Sequence, residues 1–298
     1  MVEAPKDNGS EVKVRSMVKF GIKTKLIILV LAVALPLCAF SIYQAYEHAQ
    51  LARSEAQAGV LYQTQMVSTE VDEFLYAGEK ILAALSEIPE VRNQEWEKCS
   101  AIFSKLMPQY PYYTAIVAID SEGWIRCSAV AQEKPTYVGD RGYFKEVMRT
   151  GKFAVGEVSI GRITGEPVVA IAYPLNYSSN QTGVIAAGIS LLRVQGIFEH
   201  LMLQNETVII VDSRGTVVAS SVEPEAWVMR NVSGEAWFQE IARKGSGVLE
   251  LEYFGAQRLT AISSPSKVNW YAIAGIPTAE VYAPVQQEFR RGVFFSLL

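Results

Sequence analysis

Arg141 and Tyr143 stand two residues apart at the start of RGYFKEVMRTG (141–151), a segment whose spacing predicts a short helix closed by Gly151. An arginine offers a planar fork of N–H donors that matches a carboxylate. A tyrosine adds an O–H donor and an apolar wall. A helix N-terminus adds unpaired backbone N–H groups and the positive end of the helix dipole. Together the three form a grip suited to one small carboxylate. Trp124, Arg126, Arg162 and Tyr173 fall on predicted strands or loops around the same helix and are the candidate lining residues. The alternative arrangement pairs Arg141 with Asp140 at the surface and places Tyr143 in the core. Phe144 is assigned to the core either way.

Other chemistry finds little support. Only two histidines are present, His48 and His200, so no Ser–His–Asp set can be built. The glycines of TGEPVV and RKGSG are turn residues, and neither a P-loop nor a dinucleotide pattern occurs. Glu250 and Glu252 share one strand face and are expected to be solvated rather than catalytic. The chain is therefore expected to be no enzyme and to need no cofactor. Its three cysteines fit no metal spacing. Cys38 lies within an apolar run, and Cys99 and Cys127 are expected to be two buried free thiols, although a bridge is allowed if they lie outside the cell. A later helix carries Trp237 and Phe238 beside Glu235, with no arginine. Arg258, on a predicted strand, is expected to serve coupling rather than a second pocket.

The elements that must position these residues begin with a long helix. From Ser41 to about Leu85 there is no proline, and Val60, Met66, Val67, Val71, Phe74, Leu75, Ile81, Leu82 and Leu85 recur at helical spacing. A helix of about forty residues reaches about 60 Å, long enough for a domain to pack along it. Pro89 breaks it, and a second helix is expected over about Asn93–Leu106. The pattern then switches to strands. TAIVAID, SEG and WIRCSAV form a predicted hairpin; the 141–151 helix follows, then FAVGEVSI, PVVAIAYPL and TGVIAAGISLL as strands, and a helix over 194–203.

The order then begins again. VIIVDSRGTVVASS repeats AIVAIDSEGWIRCSA at an offset of 92, with Asp120 and Asp212, Gly123 and Gly215 in step. GEAWFQEIARKG echoes DRGYFKEVMRTG, QRLTAISSP echoes EPVVAIAYP, and WYAIAGIPTAEV echoes VIAAGISLLRV. Two such copies, each strand–strand–helix–strand–strand–strand, imply an α+β fold of two antiparallel sheets with helices on a face, and argue against a doubly wound parallel sheet.

Leu26 to Tyr43 runs 18 residues without a charge, about 27 Å of helix against a hydrocarbon core of about 30 Å. Residues 1–25 carry six Lys or Arg and three acids, whereas the rest of the chain is net −7. The positive-inside rule sets the first 25 residues in the cytoplasm and the bulk outside the cell membrane. A basic stripe fit for nucleic acid is absent outside this tail, so no nucleic-acid partner is expected. RRGVFFSLL at 290–298 reads as the first turns of a second membrane helix.

IDSEGWI, DRGYFKEVMRTG, TGEPVVAIAYPL and TGVIAAGISL, in that order and then repeated, resemble the double Cache sensor family, whose tandem PAS-like lobes lie beside a long helix between two membrane helices. The resemblance spans about Ser41–Glu288. It implies the extracytoplasmic sensor of a chemoreceptor, histidine kinase or cyclic-di-nucleotide enzyme, commonly a homodimer. It also implies this layout: 1–25 cytoplasmic tail, 26–43 transmembrane helix, 44–112 stalk and second helix, 113–203 membrane-distal lobe, 204–288 membrane-proximal lobe, and 289–298 a truncated second span. Amino-acid-binding members of the family show Arg-x-Trp-Tyr on the ligand helix and acids on the strands that follow. This chain resembles them at Arg141 but has Tyr143-Phe144, and Gly161 and Gly188 stand where the acids are expected. A buried ammonium without an acid costs several kcal/mol, so a small carboxylate lacking an amine is the expected ligand. Arg162 is a candidate for a second carboxylate. A surface-anchored module that binds a protein partner is the alternative.

Overall fold

The computed structural model describes residues 21–179, 181–194 and 206–283. Helix α1 (Ile22–Ser86) contains the apolar run, with Pro36 inside it. Its window of highest mean hydropathy, 2.7, is exposed, which makes it the one helix among the described residues long and apolar enough to cross a membrane. Two compact units divide the chain, one holding α1 up to Gln50 and the other beginning at Leu51.

Within the second unit, α1 buries Val60, Val67, Val71, Leu75, Leu82 and Leu85, the stripe its spacing predicts. Met66, counted in that stripe from sequence, is 40% exposed. The second helix is shorter than expected. A turn at α2 (Pro89–Arg92) is followed by Gln94 in the left-handed region, and α3 (Trp96–Leu106) starts only after that break.

The first sheet is antiparallel, ordered β2 (Ile125–Ser128), β1 (Tyr113–Ile119), β5 (Thr182–Ser190), β4 (Pro167–Asn176), β3 (Ala154–Ile160). Helix α4 (Gly142–Thr150) links β2 to the far edge strand β3. Side chains alternate across a strand, so the sheet has two different faces. Ile116, Ile171 and Ile185 pack on α1 with Val71, Leu75 and Leu82. Val117, Ala172 and Ala186 face the other way, under Phe144 and Val147 of α4. Burying each large aliphatic side chain on α1 contributes about 1.5–3 kcal/mol.

The second sheet repeats the plan: β7 (Val217–Ser220), β6 (Thr207–Asp212), β10 (Trp270–Pro277), β9 (Ala256–Ser263), β8 (Gly247–Tyr253). A turn of helix, α5 (Pro224–Trp227), precedes the crossover helix α6 (Ala236–Lys244). Val208 and Ile210 share the α1 core, whereas Ile209 and Val211 lie beneath Trp237, Phe238 and Ile241.

Strand pairing corrects one register of the repeat. Gly188 pairs with Ala170, and Gly275 pairs with Thr260. Once the two glycines are matched, Ala170 corresponds to Thr260, not to Ala261 as the string match implies. A one-residue slip exchanges the faces of a strand. Ile171 accordingly packs on α1 while Ile262 packs under α6.

Cys99 and Cys127 form a disulfide, with Cα atoms 6.0 Å apart, which corrects the expectation of two free thiols. The reason is tertiary. Helix α3 lies across β2, where Ser100 Oγ accepts from the Ser128 N–H and the Ser104 hydroxyl donates to the Ala129 carbonyl. Closing a loop of 28 residues stabilises by about 3–4 kcal/mol in a chain-entropy account. The helix expected over 194–203, the tail before residue 21 and the second membrane segment at 289–298 lie mostly or wholly outside the described residues.

Candidate functional site

Between α4 and the first sheet lies a cavity of about 70 Å³. Its origin is an alternation of large and small residues. On the α1 face, β4 and β5 carry Ile171, Ile185 and Ile189; on the α4 face, the cavity is bordered by Ala115, Ala170, Ala186 and Gly188. The small residues leave room that Phe144 and Val147, anchored farther along this face, do not fill. Gly188 is held to that size by its neighbour: a Cβ there would come 2.7 Å from Thr114 Oγ1, and the Thr114 hydroxyl donates to the Gly188 carbonyl.

Arg141 is the N-cap residue of α4 (φ −71°, ψ 141°), so the first turn of the helix borders the cavity together with Arg141 and Tyr143. One guanidinium nitrogen, Nη2, donates to the Ile160 carbonyl at 2.9 Å. No carboxylate among the described residues pairs with Arg141. Asp140 is instead held by Arg162 through two bonds of 2.7 and 2.6 Å, and Arg162 also donates to the Tyr137 carbonyl. That fork holds the Asp140 carboxyl down at about 2. Burial pushes the Tyr143 hydroxyl up to about 12, so it stays a neutral donor.

The structure thus brings Arg141, Tyr143 and Arg162 to one cavity. Trp124, Arg126 and Tyr173 lie elsewhere. Trp124 packs at a tilt against Tyr137 at the hairpin, ring centroids 5.1 Å apart. Arg126 pairs with Asp120 at 2.6 Å, and Asp120 also caps the hairpin turn by accepting from the Glu122 and Trp124 N–H groups. Tyr173 has the parity of Ile171 and packs in the α1 core, on the face of β4 opposite Ala170. Thr114, Ser159 and Thr164 line the cavity and were not singled out from sequence, nor were the apolar walls Ile125, Val138 and Ile163. Their signal was the small-residue alternation in PVVAIAYPL and VIAAGIS, which marks a face with space above it.

The second lobe has the same groove, filled. Strand register matches Gly161 to Tyr253: each follows the β3–β4 or β8–β9 pair that precedes it, Ile160 with Pro167 and Glu252 with Gln257. The Tyr253 hydroxyl sits only 2.0 Å from where a Cβ on Gly275 would be, and its ring stacks on Trp237 at 5.4 Å. Arg258 is built into this packing, its Nε donating to the Tyr253 carbonyl and its guanidinium 5.5 Å from the Tyr253 ring. The side chain that most directly fills the second groove is therefore Tyr253 on the edge strand, where the first lobe has Gly161.

The edge strand also reaches the other lobe. The β3–β4 register slips between Val155 and Val158, a bulge at Gly156-Glu157. Bulges re-aim side chains. Tyr143 packs close to Gly156, where a Cβ would meet its ring at 3.0 Å, and Glu157 turns to Arg214 in the β6–β7 turn of the second lobe.

A model of the Cache domain family matches residues 47–285. Sporulation kinase D of Bacillus subtilis (strain 168) is 23% identical over 145 residues, a match that covers 48% of this chain and only 28% of that protein's length. Among solved structures, the ligand-binding domain of the Pseudomonas fluorescens chemoreceptor CtaA in complex with L-leucine aligns with a TM-score of 0.63 at 16% identity, over 78% of this chain and 99% of that one. The ligand-binding domain of the Pseudomonas aeruginosa PAO1 amino acid chemoreceptor PctB, in complex with L-Arg, aligns with a TM-score of 0.62 at 17% identity, over 77% and 98%.

Proposed function

The chain belongs to the Cache domain family of ligand-binding sensors, and on that premise we propose that it is the extracytoplasmic sensing region of a membrane-bound receptor of histidine kinase or chemoreceptor type. Its ligand is a small carboxylate held in the N-terminal, membrane-distal lobe. The carrying observation is Arg141: a guanidinium at a cavity, beside the first turn of α4, with no acid of its own. The two chemoreceptor domains named above are in complex with amino acids, whose carboxylate would suit the same grip; the lining of this cavity offers no Asp or Glu for an ammonium. The chain is not itself an enzyme on this proposal. Its six early Lys and Arg set the N-terminus in the cytoplasm, and α1 carries it across the membrane. It pairs as a homodimer along the exposed side of α1, where Tyr62, Met66 and Tyr76 are 64%, 40% and 51% exposed. Binding then biases a two-state membrane helix pair.

The test is calorimetric titration of the full chain in lipid nanodiscs with small carboxylates, beside Arg141→Ala. Loss of about 3–5 kcal/mol of binding free energy is expected when a buried carboxylate loses its only cation. Equal affinities in the two proteins remove Arg141 from the site.

A further inference from the structure

We infer that the ligand of this cavity is a short apolar monocarboxylate, carrying neither an amine nor a second acid. This rests on the carboxylate site proposed above and adds to it a size, a charge and a polarity, each from a separate feature of the walls.

Size comes from the small residues. At about 70 Å³ the cavity is about half the ~150 Å³ that encloses benzene in an engineered core, so it seats a carboxylate and only a short tail. Ala170, Ala186 and Gly188 set that ceiling from the sheet side, and Gly188 has no slack because Thr114 stands against it.

Charge comes from pairing. A dicarboxylate needs a second free cation. The other guanidinium in the lining, Arg162, already spends both Nη nitrogens on Asp140 and one of them also on the Tyr137 carbonyl. A second ligand acid there would displace Asp140 and leave it unpaired. An amine needs an anion, and no lining residue is acidic. Asp140, the nearest acid in sequence to Arg141, is held by Arg162.

Polarity comes from the remaining wall. Beyond the hydroxyls of Tyr143, Ser159 and Thr164, which can donate to the two oxygens of one carboxylate, and that of Thr114, which already donates to the Gly188 carbonyl, the lining includes Val117, Ile125, Val138, Ile163 and Val168. A hydrocarbon tail satisfies these side chains, and a polar tail would lose its water for nothing in return.

The full chain in lipid nanodiscs would be titrated by calorimetry with acetate, propionate, butyrate, hexanoate, succinate and alanine. Each methylene from acetate to butyrate should tighten binding about fourfold, because it is buried against apolar wall. Hexanoate should bind no tighter than butyrate. Succinate and alanine should bind at least about tenfold more weakly than propionate, lacking a partner for the second charge. Ala170→Val, which adds two methyl groups to the floor on a strand that suits a β-branched residue, should cost butyrate far more affinity than acetate. The inference is overturned if succinate or alanine outbinds propionate, or if affinity keeps climbing through hexanoate. Arg141→Ala separates the two levels. If a dicarboxylate or amino acid binds best and needs Arg141, only the monocarboxylate inference falls. If binding ignores Arg141, or no compound on the panel binds, the carboxylate site falls with it.

Discussion

Arg162 and Asp140 are 22 residues apart, and their pairing decides what Arg141 is free to do. Nothing in the sequence separates the two arginines as partners for that acid; adjacency even favours Arg141. Geometry reverses the choice, because Arg162 meets both carboxylate oxygens at once. The pair also fixes a pH window. Asp140 has a carboxyl lowered to about 2 from an unfolded value near 3.8. Its contribution to the folded state is complete above the unfolded value and disappears as pH falls through about 2. Tyr143, raised to about 12, loses its proton only beyond that value. Neither group titrates between pH 5 and 9, so carboxylate affinity measured by calorimetry should be flat across that range. A step within it would put a different titrating group against the ligand.

At the scale of elements, the repeat was legible and its exact register was not. Asp–Ser–x–Gly strings in turns, Phe144 with Phe238, and Gly151 with Gly245 repeat because turns and helix ends demand particular residues. Strand interiors carry weaker constraints, so PVVAIAYPL and RLTAISSP align by letters one residue away from where pairing sets them. The same weakness misplaced half of the candidate lining residues. Arg141 and Tyr143 were readable because a helix start announces itself, whereas Trp124, Arg126 and Tyr173 depended on which face a strand residue takes. The bridge between Cys99 and Cys127 was hidden for a third reason: it depends on α3 docking on β2, which no local pattern reports. The corrected register yields a prediction. Gly161 occupies the place of Tyr253, has no left-handed φ, and would bring a Cβ no closer than 3.0 Å to Thr164 Oγ1. Gly161→Tyr should therefore fold, with its ring filling the cavity as Tyr253 fills the second groove. Carboxylate binding should vanish in calorimetry while the thermal midpoint holds or rises, since filling a void restores lost contacts. Retained binding would mean that strand register does not carry the equivalence.

At the scale of the whole second unit, two polar tethers join its parts, and their burial predicts different strengths. Asp72 of α1 accepts from the Ser266 N–H, the Ser266 hydroxyl and the Lys267 N–H at 2.7, 2.8 and 2.9 Å, which fastens the β9–β10 loop to the helix. Lys267 then reaches Glu79 at 2.8 Å, about two turns further along the same face of α1. Burial raises the Asp72 carboxyl, but the two backbone bonds and the Ser266 hydroxyl outweigh it and the net shift is downward. This tether is therefore whole above the usual carboxylate range and is lost on acidification. The Glu157–Arg214 pair between the lobes is more open, with side chains 49% and 65% exposed. An exposed pair contributes about 0–1 kcal/mol and is screened by salt. Hydrogen bonds to a charged acceptor contribute about 1.5–3 kcal/mol each before losses, and Asp72→Ala strands three donors. Thermal unfolding of the full chain should thus show a clear drop for Asp72→Ala near neutral pH that shrinks only once acidification passes below the usual carboxylate range, where the parent protein loses the same tether. Glu157→Gln should leave the midpoint almost unchanged and, in 1 M salt, indistinguishable from the parent. If Glu157→Gln proved the more damaging of the two, the lobes would be held by the bulge-aimed ion pair rather than by their common helix.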